Sequence, residues 1–298
     1  MRFLTLLLAL IFSFLSLPLH AESLSHSAGA TLIALPKLPT QPTLIEKVNN
    51  QAIVAGSGLY LNYRESIGDS VKGTIPGISL QIIRSFNNSL YTEVAAEFEK
   101  GNLQYNGGYY DIHHVFHPLD AGSLNSILNL NADIGAIFPL SQSWPDLRLI
   151  YYLELGYRQW ERTVPPLFYV AGVGVNSYVE EYNNFDYMAG IKLEWKFAEN
   201  AVLVPNAGAG LTLNPTIKAN IPDAGIFIAY NANLGQSYYY QFGAALYWFI
   251  TPNTNLNLSA KYETFAFGTA SQVVDGIYEP SSITNQLRFK AGVGFAFS

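Results

Sequence analysis

The sequence predicts an all-β chain: a transmembrane antiparallel up-and-down β-barrel of about 10 strands, with 8 or 12 as alternative counts. Three observations predict it. The last residues alternate strictly, with Leu287, Phe289, Ala291, Val293, Phe295 and Phe297 apolar and Gln286, Arg288, Lys290, Gly292, Gly294 and Ala296 between them. A period of two puts one set on each face of a strand. One face is greasy and the other polar or tiny, which suits lipid outside and a hydrated interior. The links between candidate strands alternate short and long, the rhythm of short periplasmic turns and long extracellular loops. Charged residues make up only 13% of the 298 residues and aromatics 14%, with 20 Tyr and 18 Phe, whereas soluble domains carry roughly 25% charged residues.

The elements follow in chain order. Arg2, the apolar run Phe3 to Leu17, Pro18 and then Leu19-His20-Ala21 read as a secretory signal peptide over 1–21. The apolar run of about 15 residues is short for a spanning helix, which needs roughly 20. Residues 22–52 have no strand pattern and contain the Pro-rich stretch Leu35 to Pro42. They are expected to form a periplasmic tail, or a plug folded up into the barrel. The barrel is assigned to 53–298. Its strands are expected near 54–65, 77–86, 90–101, 125–138, 147–160, 184–197, 201–214, 237–250, 255–268 and 285–297. Short links fall near 87–88, 142–146, 198–200 and 251–254, and long ones near 66–76, 102–124, 161–183, 215–236 and 269–284. A soluble β-sandwich would hide its greasy faces in a core and has no reason for that rhythm. An even strand count puts both termini in the periplasm. The absence of cysteine excludes disulfides and thiol chemistry, and the net charge of −6 argues against nucleic-acid binding.

Turning the polar face of each strand inward gives a charged lumen. Its expected network is Glu93, Glu97, Glu99, Asp133, Arg148, Glu154, Arg158, Lys192, Glu194, Lys196, Lys261, Glu263, Arg288 and Lys290, with Arg64 and Arg162 also inward. Tyr60, Ile83, Tyr152, Trp160, Tyr239, Tyr247, Phe249, Phe265 and Phe267 fall on the same face and narrow it. A barrel of this size is small enough for side chains to fill, so opposite charges are expected to pair and leave no wide pore. A narrow conduction path lined by the same residues is the alternative. The long loops and their margins carry ten acids, Glu65, Asp69, Asp111, Asp120, Glu180, Glu181, Asp186, Asp223, Asp275 and Glu279, against Lys72 and Lys218. These are expected to be solvated loop residues.

Chemistry has few places to reside. His113, His114 and His117, beside Asp111, form the one histidine cluster and the candidate metal site. Pro118 and two glycines at 107–108 argue against the helix that would bring His113 and His117 together. No phosphate-binding loop, zincin motif or nucleophile elbow is present. No enzyme activity and no cofactor are expected.

The closing strand, with Phe289, Val293, Phe295 and Phe297 as its assembly signal, resembles the terminal strand of small bacterial outer-membrane β-barrels of the opacity-protein, OmpA-like and OmpW-like superfamily. The family usually ends on the aromatic itself, whereas here Ser298 follows Phe297. The resemblance covers about 53–298. It implies the bacterial outer membrane as location, with outer-membrane lipid, lipopolysaccharide and the barrel-assembly machinery as partners. It implies a non-enzymatic role in envelope integrity or surface binding, with a narrow porin-like channel as the alternative. The strand count also resembles omptin-type outer-membrane proteases, which use an aspartate pair and an aspartate–histidine pair. Asp111 with His113 or His114 would supply one half, but no Asp-Asp or Asp-x-Asp occurs in the chain. A lipid A-modifying hydrolase would need a His–Ser spacing that nothing here singles out.

Overall fold

The computed structural model describes residues 42–297 apart from 87, 111–114, 141–143, 145, 169–173, 176, 224–225 and 273–278. The expected signal peptide, the tail up to residue 41, His113, His114, Asp111 and Ser298 therefore lie outside the described residues, as does the side chain of His117.

A short helix, α1 (Leu44–Val48), precedes β1 (Asn50–Glu65), β2 (Ser70–Phe86), β3 (Leu90–Tyr110), β4 (Phe116–Pro139) and β5 (Leu147–Val164). Two two-residue strands, β6 (Leu167–Phe168) and β7 (Gly174–Val175), pair with each other. Then come β8 (Tyr178–Ala198), β9 (Ala201–Asp223), β10 (Ile226–Asn233), β11 (Tyr238–Thr251), β12 (Thr254–Phe267) and β13 (Ser282–Ala296). Ten strands form a closed antiparallel barrel, each bonded to its sequence neighbour in the ring. β13 closes on β1 from Ala296↔Gln51 to Ser282↔Glu65, and β8 joins β9. β10 stands outside the ring, paired with the far end of β9 from Asp223 to Thr216, where β11 does not reach.

The outward face carries the apolar residues. Phe138, Tyr151, Trp195, Phe197, Trp248 and Phe295 are exposed toward the short-turn end, and Phe185, Tyr187, Tyr238, Tyr240 and Tyr262 toward the long-loop end. These are the two aromatic girdles of a bilayer-spanning barrel. Phe289 is exposed between them, Val293 is half-buried, and the Arg84 guanidinium lies 5.7 Å from the centroid of half-buried Phe297. Above the upper girdle the outward positions turn polar. Tyr157 donates to Asn183, and Gln159, Glu161 and Glu181 follow.

Three expectations are corrected. First, the strands run beyond the apolar band, so much of the expected long links is strand. β3 and β4 stay paired up to Tyr110↔Phe116, and β2 starts at Ser70. Outward residues there are polar, such as Asn102, Gln104 and Asn106, so the greasy alternation that marks a strand in sequence is missing although the ladder continues. Second, Tyr60 and Arg64 face outward. Leu59, Leu61, Tyr63 and Glu65 are the buried set on β1, and exposed Arg64 donates to Asn62 Oδ1 at 3.3 Å. Third, Thr43 to Ala52, the end of the segment expected to be a tail or a plug, belong to the barrel unit.

Candidate functional site

The lumen is built from the inward positions of every strand, and it is closed at three levels. At the short-turn end α1 lies across the mouth. Its first turn is fixed by a capping box, in which Thr43 Oγ1 accepts from the Glu46 N–H and Glu46 accepts from the Thr43 N–H. Ile45 and Val48 are buried against the barrel's inner apolar cluster. Three ties anchor the helix around the rim: Lys47 Nζ donates to Pro252 O at 2.8 Å, Asn88 Nδ2 donates to Glu46 Oε1 at 2.7 Å, and Arg148 lies 3.7 Å from Glu46. Partial burial opposes ionisation of Glu46, but the Thr43 hydrogen bonds and Arg148 outweigh it and hold the carboxyl below its usual range. Arg148, expected in the lumen charge network, lies at this rim beside the helix. Lys196 stays at the same rim, 3.6 Å from Asp146.

Across the middle runs the charge network. Arg288 is fully enclosed and donates to Glu99 at 2.7 Å, while its Nη1 lies 2.8 Å from Glu97 and 2.9 Å from Glu263. Lys290 reaches Glu97 at 3.0 Å and Lys261 reaches Glu263 at 3.4 Å. Arg158, bonded to Asn129 at 2.9 Å and stacked 4.0 Å over Phe265, also contacts Glu263 at 3.4 Å and Asp186 at 3.9 Å. β5 and β12 are separated by three strands on one side of the ring and five on the other, so the Arg158–Glu263 contact crosses the lumen. Lys192 joins Glu93 at 2.6 Å, Asp133 at 2.8 Å and the Tyr91 hydroxyl at 2.8 Å. Between this layer and α1 lies a cavity of about 90 Å³, lined among others by Val48, Asn49, Glu154, Lys192 and Glu194. That is room for a few waters, whose share of liquid volume is roughly 30 Å³ each.

At the long-loop end the plug is aromatic. Tyr63 meets Trp160 edge-on, and Trp160, Tyr182 and Phe267 stack in turn, with Trp160 and Tyr182 centroids 5.1 Å apart. Arg162 sits on them, 4.9 Å from the Tyr63 centroid, and bonds Glu65 at 2.8 Å and Glu180 through Nε. Glu279 reaches in from the β12–β13 loop and accepts from Tyr63 at 3.0 Å and Tyr182 at 2.7 Å. Burial, with Glu180 adding repulsion and Arg162 opposing it, pushes the Glu279 carboxyl up to about 8. Here the sequence expectation fails. Glu65, Glu180, Asp186 and Glu279, expected as solvated residues of the loops and their margins, are all buried. Both Glu180 and Asp186 share the parity of Lys192 and Glu194; Asp186 falls within the expected strand 184–197, and Glu180 needs only a longer β8. Glu279 carried no periodic signal.

Among the described residues no group of three His, Asp, Glu or Cys side chains converges to hold a metal ion.

No protein-family model matches the chain, and no curated protein does. Solved structures do. The outer-membrane protease OmpT from Escherichia coli superposes with a TM-score of 0.60 at 11% identity, covering 84% of this chain and 97% of that one. The Ralstonia pickettii toluene transporter TbuX has a TM-score of 0.44 at 9% identity, covering 87% and 92%. The NalP translocator domain from Neisseria meningitidis has 0.44 at 10%, covering 83% and 88%. The fold is that of the small outer-membrane β-barrels. At these identities the likeness to OmpT speaks of architecture alone, and the other two overlap too loosely to carry an argument. What the outer-membrane barrel does must be argued from its own lumen and rims.

Proposed function

We propose that this chain is a non-enzymatic barrel of the bacterial outer membrane, with a filled lumen, that serves envelope integrity or surface binding. Short turns of such barrels face the periplasm, so both termini of the chain are periplasmic and the Glu279 rim of the barrel is outside. The apolar outer face meets outer-membrane lipid and lipopolysaccharide, and β13 is the strand presented to the barrel-assembly machinery. The observation that carries the reading is the cross-lumen contact of Arg158 with Glu263, backed by Arg288 among three glutamates. Buried ions bound this closely hold one another, because separating them strands a charge in low dielectric. The test is planar-bilayer recording on refolded residues 22–298, with no long-lived openings expected. Stable nanosiemens-scale openings of the intact protein overturn it.

A porin-like reading has one observation in its favour, the polar cavity directly above α1. Small openings that arise only when residues 22–50 are removed would favour that reading and make α1 its gate.

A further inference from the structure

Above the upper girdle, the outward charges of the barrel are sorted by side. Among the described residues, β1, β2 and β3 carry Arg64, Lys72 and Lys100 there, all exposed, and no outward acid. β4, β5 and β8 carry Asp120, Glu161 and Glu181 and no outward base, and Lys218 of β9 stands opposite Glu181 in the ladder. The three cations of β1–β3 have no such counterpart, for among the described residues no carboxylate pairs with any of them. The acids next to them in the chain turn inward, Glu65 to Arg162 and Asp69 to the Tyr105 hydroxyl. Like charges gathered without counter-charges create a positive field, and this face is complementary to an anionic partner.

Register fixes the spacing. Arg64 pairs with Ser70, so Lys72 is its diagonal neighbour on the same face, roughly 7–8 Å away and near enough to share one anion. Lys72 pairs with Gln104, and Lys100 lies four residues lower on β3, about 13 Å at the rise of a strand. Lys100 therefore needs a second anion. Between the two, exposed Thr74, Asn102 and Gln104 offer hydroxyl and amide groups to a sugar. Height narrows the partner further. Lys100 is two positions above exposed Phe98, at the edge of the apolar band, whereas Arg64 and Lys72 stand near the loop end of their strands. A ligand that touches all three must lie at the lipid surface. Lower on β1, Gly56 and Gly58 are open to the outside, and with Leu258, Ala260 and Phe289 they line an apolar groove of about 570 Å³. An acyl chain fits such a groove.

We propose that the outward face of β1–β3 binds one phosphorylated glycolipid of the outer leaflet, the lipid A end of lipopolysaccharide, with one phosphate between Arg64 and Lys72 and a second on Lys100. Arg64 supplies the planar fork that matches phosphate, and the two lysines act as point charges. An acyl chain follows the groove beside Gly56 and Gly58. This rests on the outer-membrane, surface-binding part of the function above and not on the closed lumen.

The test is calorimetric titration of the refolded barrel, residues 22–298, in zwitterionic detergent with diphosphoryl lipid A, monophosphoryl lipid A and inorganic pyrophosphate. Diphosphoryl lipid A should saturate a single site. Monophosphoryl lipid A should bind about fivefold more weakly, the scale of one basic contact at a membrane surface. Pyrophosphate, which has no acyl chain, should be weaker still. Lys100→Gln should weaken diphosphoryl lipid A by about fivefold on the same scale and bring the two lipids to nearly equal affinity. Lys218→Gln removes the same charge from the other side of the barrel and should leave both affinities unchanged. Heat-modifiable gel mobility reports folding, and Lys72→Gln, with the same expected loss for diphosphoryl lipid A, decides the matter where Lys100→Gln does not fold. Absence of saturable lipid A binding, equal affinity of the wild type for the two lipids, pyrophosphate binding as tight as lipid, or Lys218→Gln as damaging as Lys100→Gln each overturns the proposal. A conducting barrel that still prefers diphosphoryl lipid A would fail only the closed-lumen reading. A silent barrel that binds neither lipid would fail only this one.

Discussion

Glu279 is the side chain most exposed to pH. Its carboxyl sits in the closed mouth at about 8, above its ordinary value, chiefly through burial and then through Glu180. Glu65 adds repulsion from β1, Arg162 on β5 opposes it, and the hydroxyls of Tyr63 and Tyr182 hold it. A group with a raised value stabilises the docked loop fully below its ordinary range, and that contribution is lost as pH rises through about 8. Backbone protection of Ala270 and Glu279, whose N–H groups bond Glu279 O and Tyr230 Oη, should therefore fall as pH rises from about 4.5 to about 8 and level off above that, after correction for intrinsic exchange. Glu279→Gln should remove that dependence, and a pH profile unchanged by the substitution would count against the docking role. Lys192 gives a second residue-scale expectation. It neutralises both Glu93 and Asp133, so Lys192→Met leaves two buried carboxylates uncompensated, at roughly 3–5 kcal/mol. The outward change Leu193→Arg, one outward position from the Trp195 girdle, costs less than the roughly 2–4 kcal/mol of an arginine at mid-bilayer. On sequence alone the inward change is the mild one, and the double partnership makes it at least as severe. Adding Asp133→Asn to Lys192→Met should recover part of the loss in urea-unfolding titrations.

At the scale of elements, two devices decide how the barrel is filled. α1 is only five residues long, too short to hold its shape alone, so the capping box and the three rim ties must fix it. Glu46→Ala removes the box, the Asn88 bond and the Arg148 contact together. It should loosen the helix, seen as increased proteolysis near residues 43–50, while the barrel keeps its heat-modifiable mobility. The second device is the contact of Tyr152 with Gly190. A Cβ at Gly190 would lie 2.5 Å from the Tyr152 ring, so the ring needs that bare backbone to lie against the wall and receive its hydrogen bond from Gln241 at 2.9 Å. Gly190→Val should push the ring into the lumen and slow assembly, measured as the folded fraction on an unboiled gel. The outward-facing change Gly58→Val, where nothing lies within 4 Å, should leave the fraction near wild type.

For the whole molecule, closure joins the first strand to the last. β13 meets β1 along its full length, and the Phe297 N–H bonds Asn50 O at 2.9 Å while its ring lies under Arg84. Phe297→Ala should lower the yield of folded barrel more than deletion of Ser298 does. Equal, wild-type yields from both would count against a terminal recognition strand.

The sequence by itself determined the architecture. Lipid demands an unbroken apolar face, and a strand delivers it with a period of two, so Phe289, Phe295 and the alternation around Lys192 could be placed without coordinates. The inward charges of β3, β8, β12 and β13 were legible for the same reason. Only the tertiary structure decided what lies outside the bilayer and who pairs with whom. Beyond the girdles both faces of a strand touch polar surroundings, so Glu65 and Arg64 show no contrast between inside and outside, and Glu180 has only its parity with Lys192. Glu279 comes from a loop without period, and α1 is too short to announce itself. Glu263, a partner of Arg158, sits across the ring, and the partners of Lys192 lie two and three strands away, at distances set by strand number and closure rather than by local sequence.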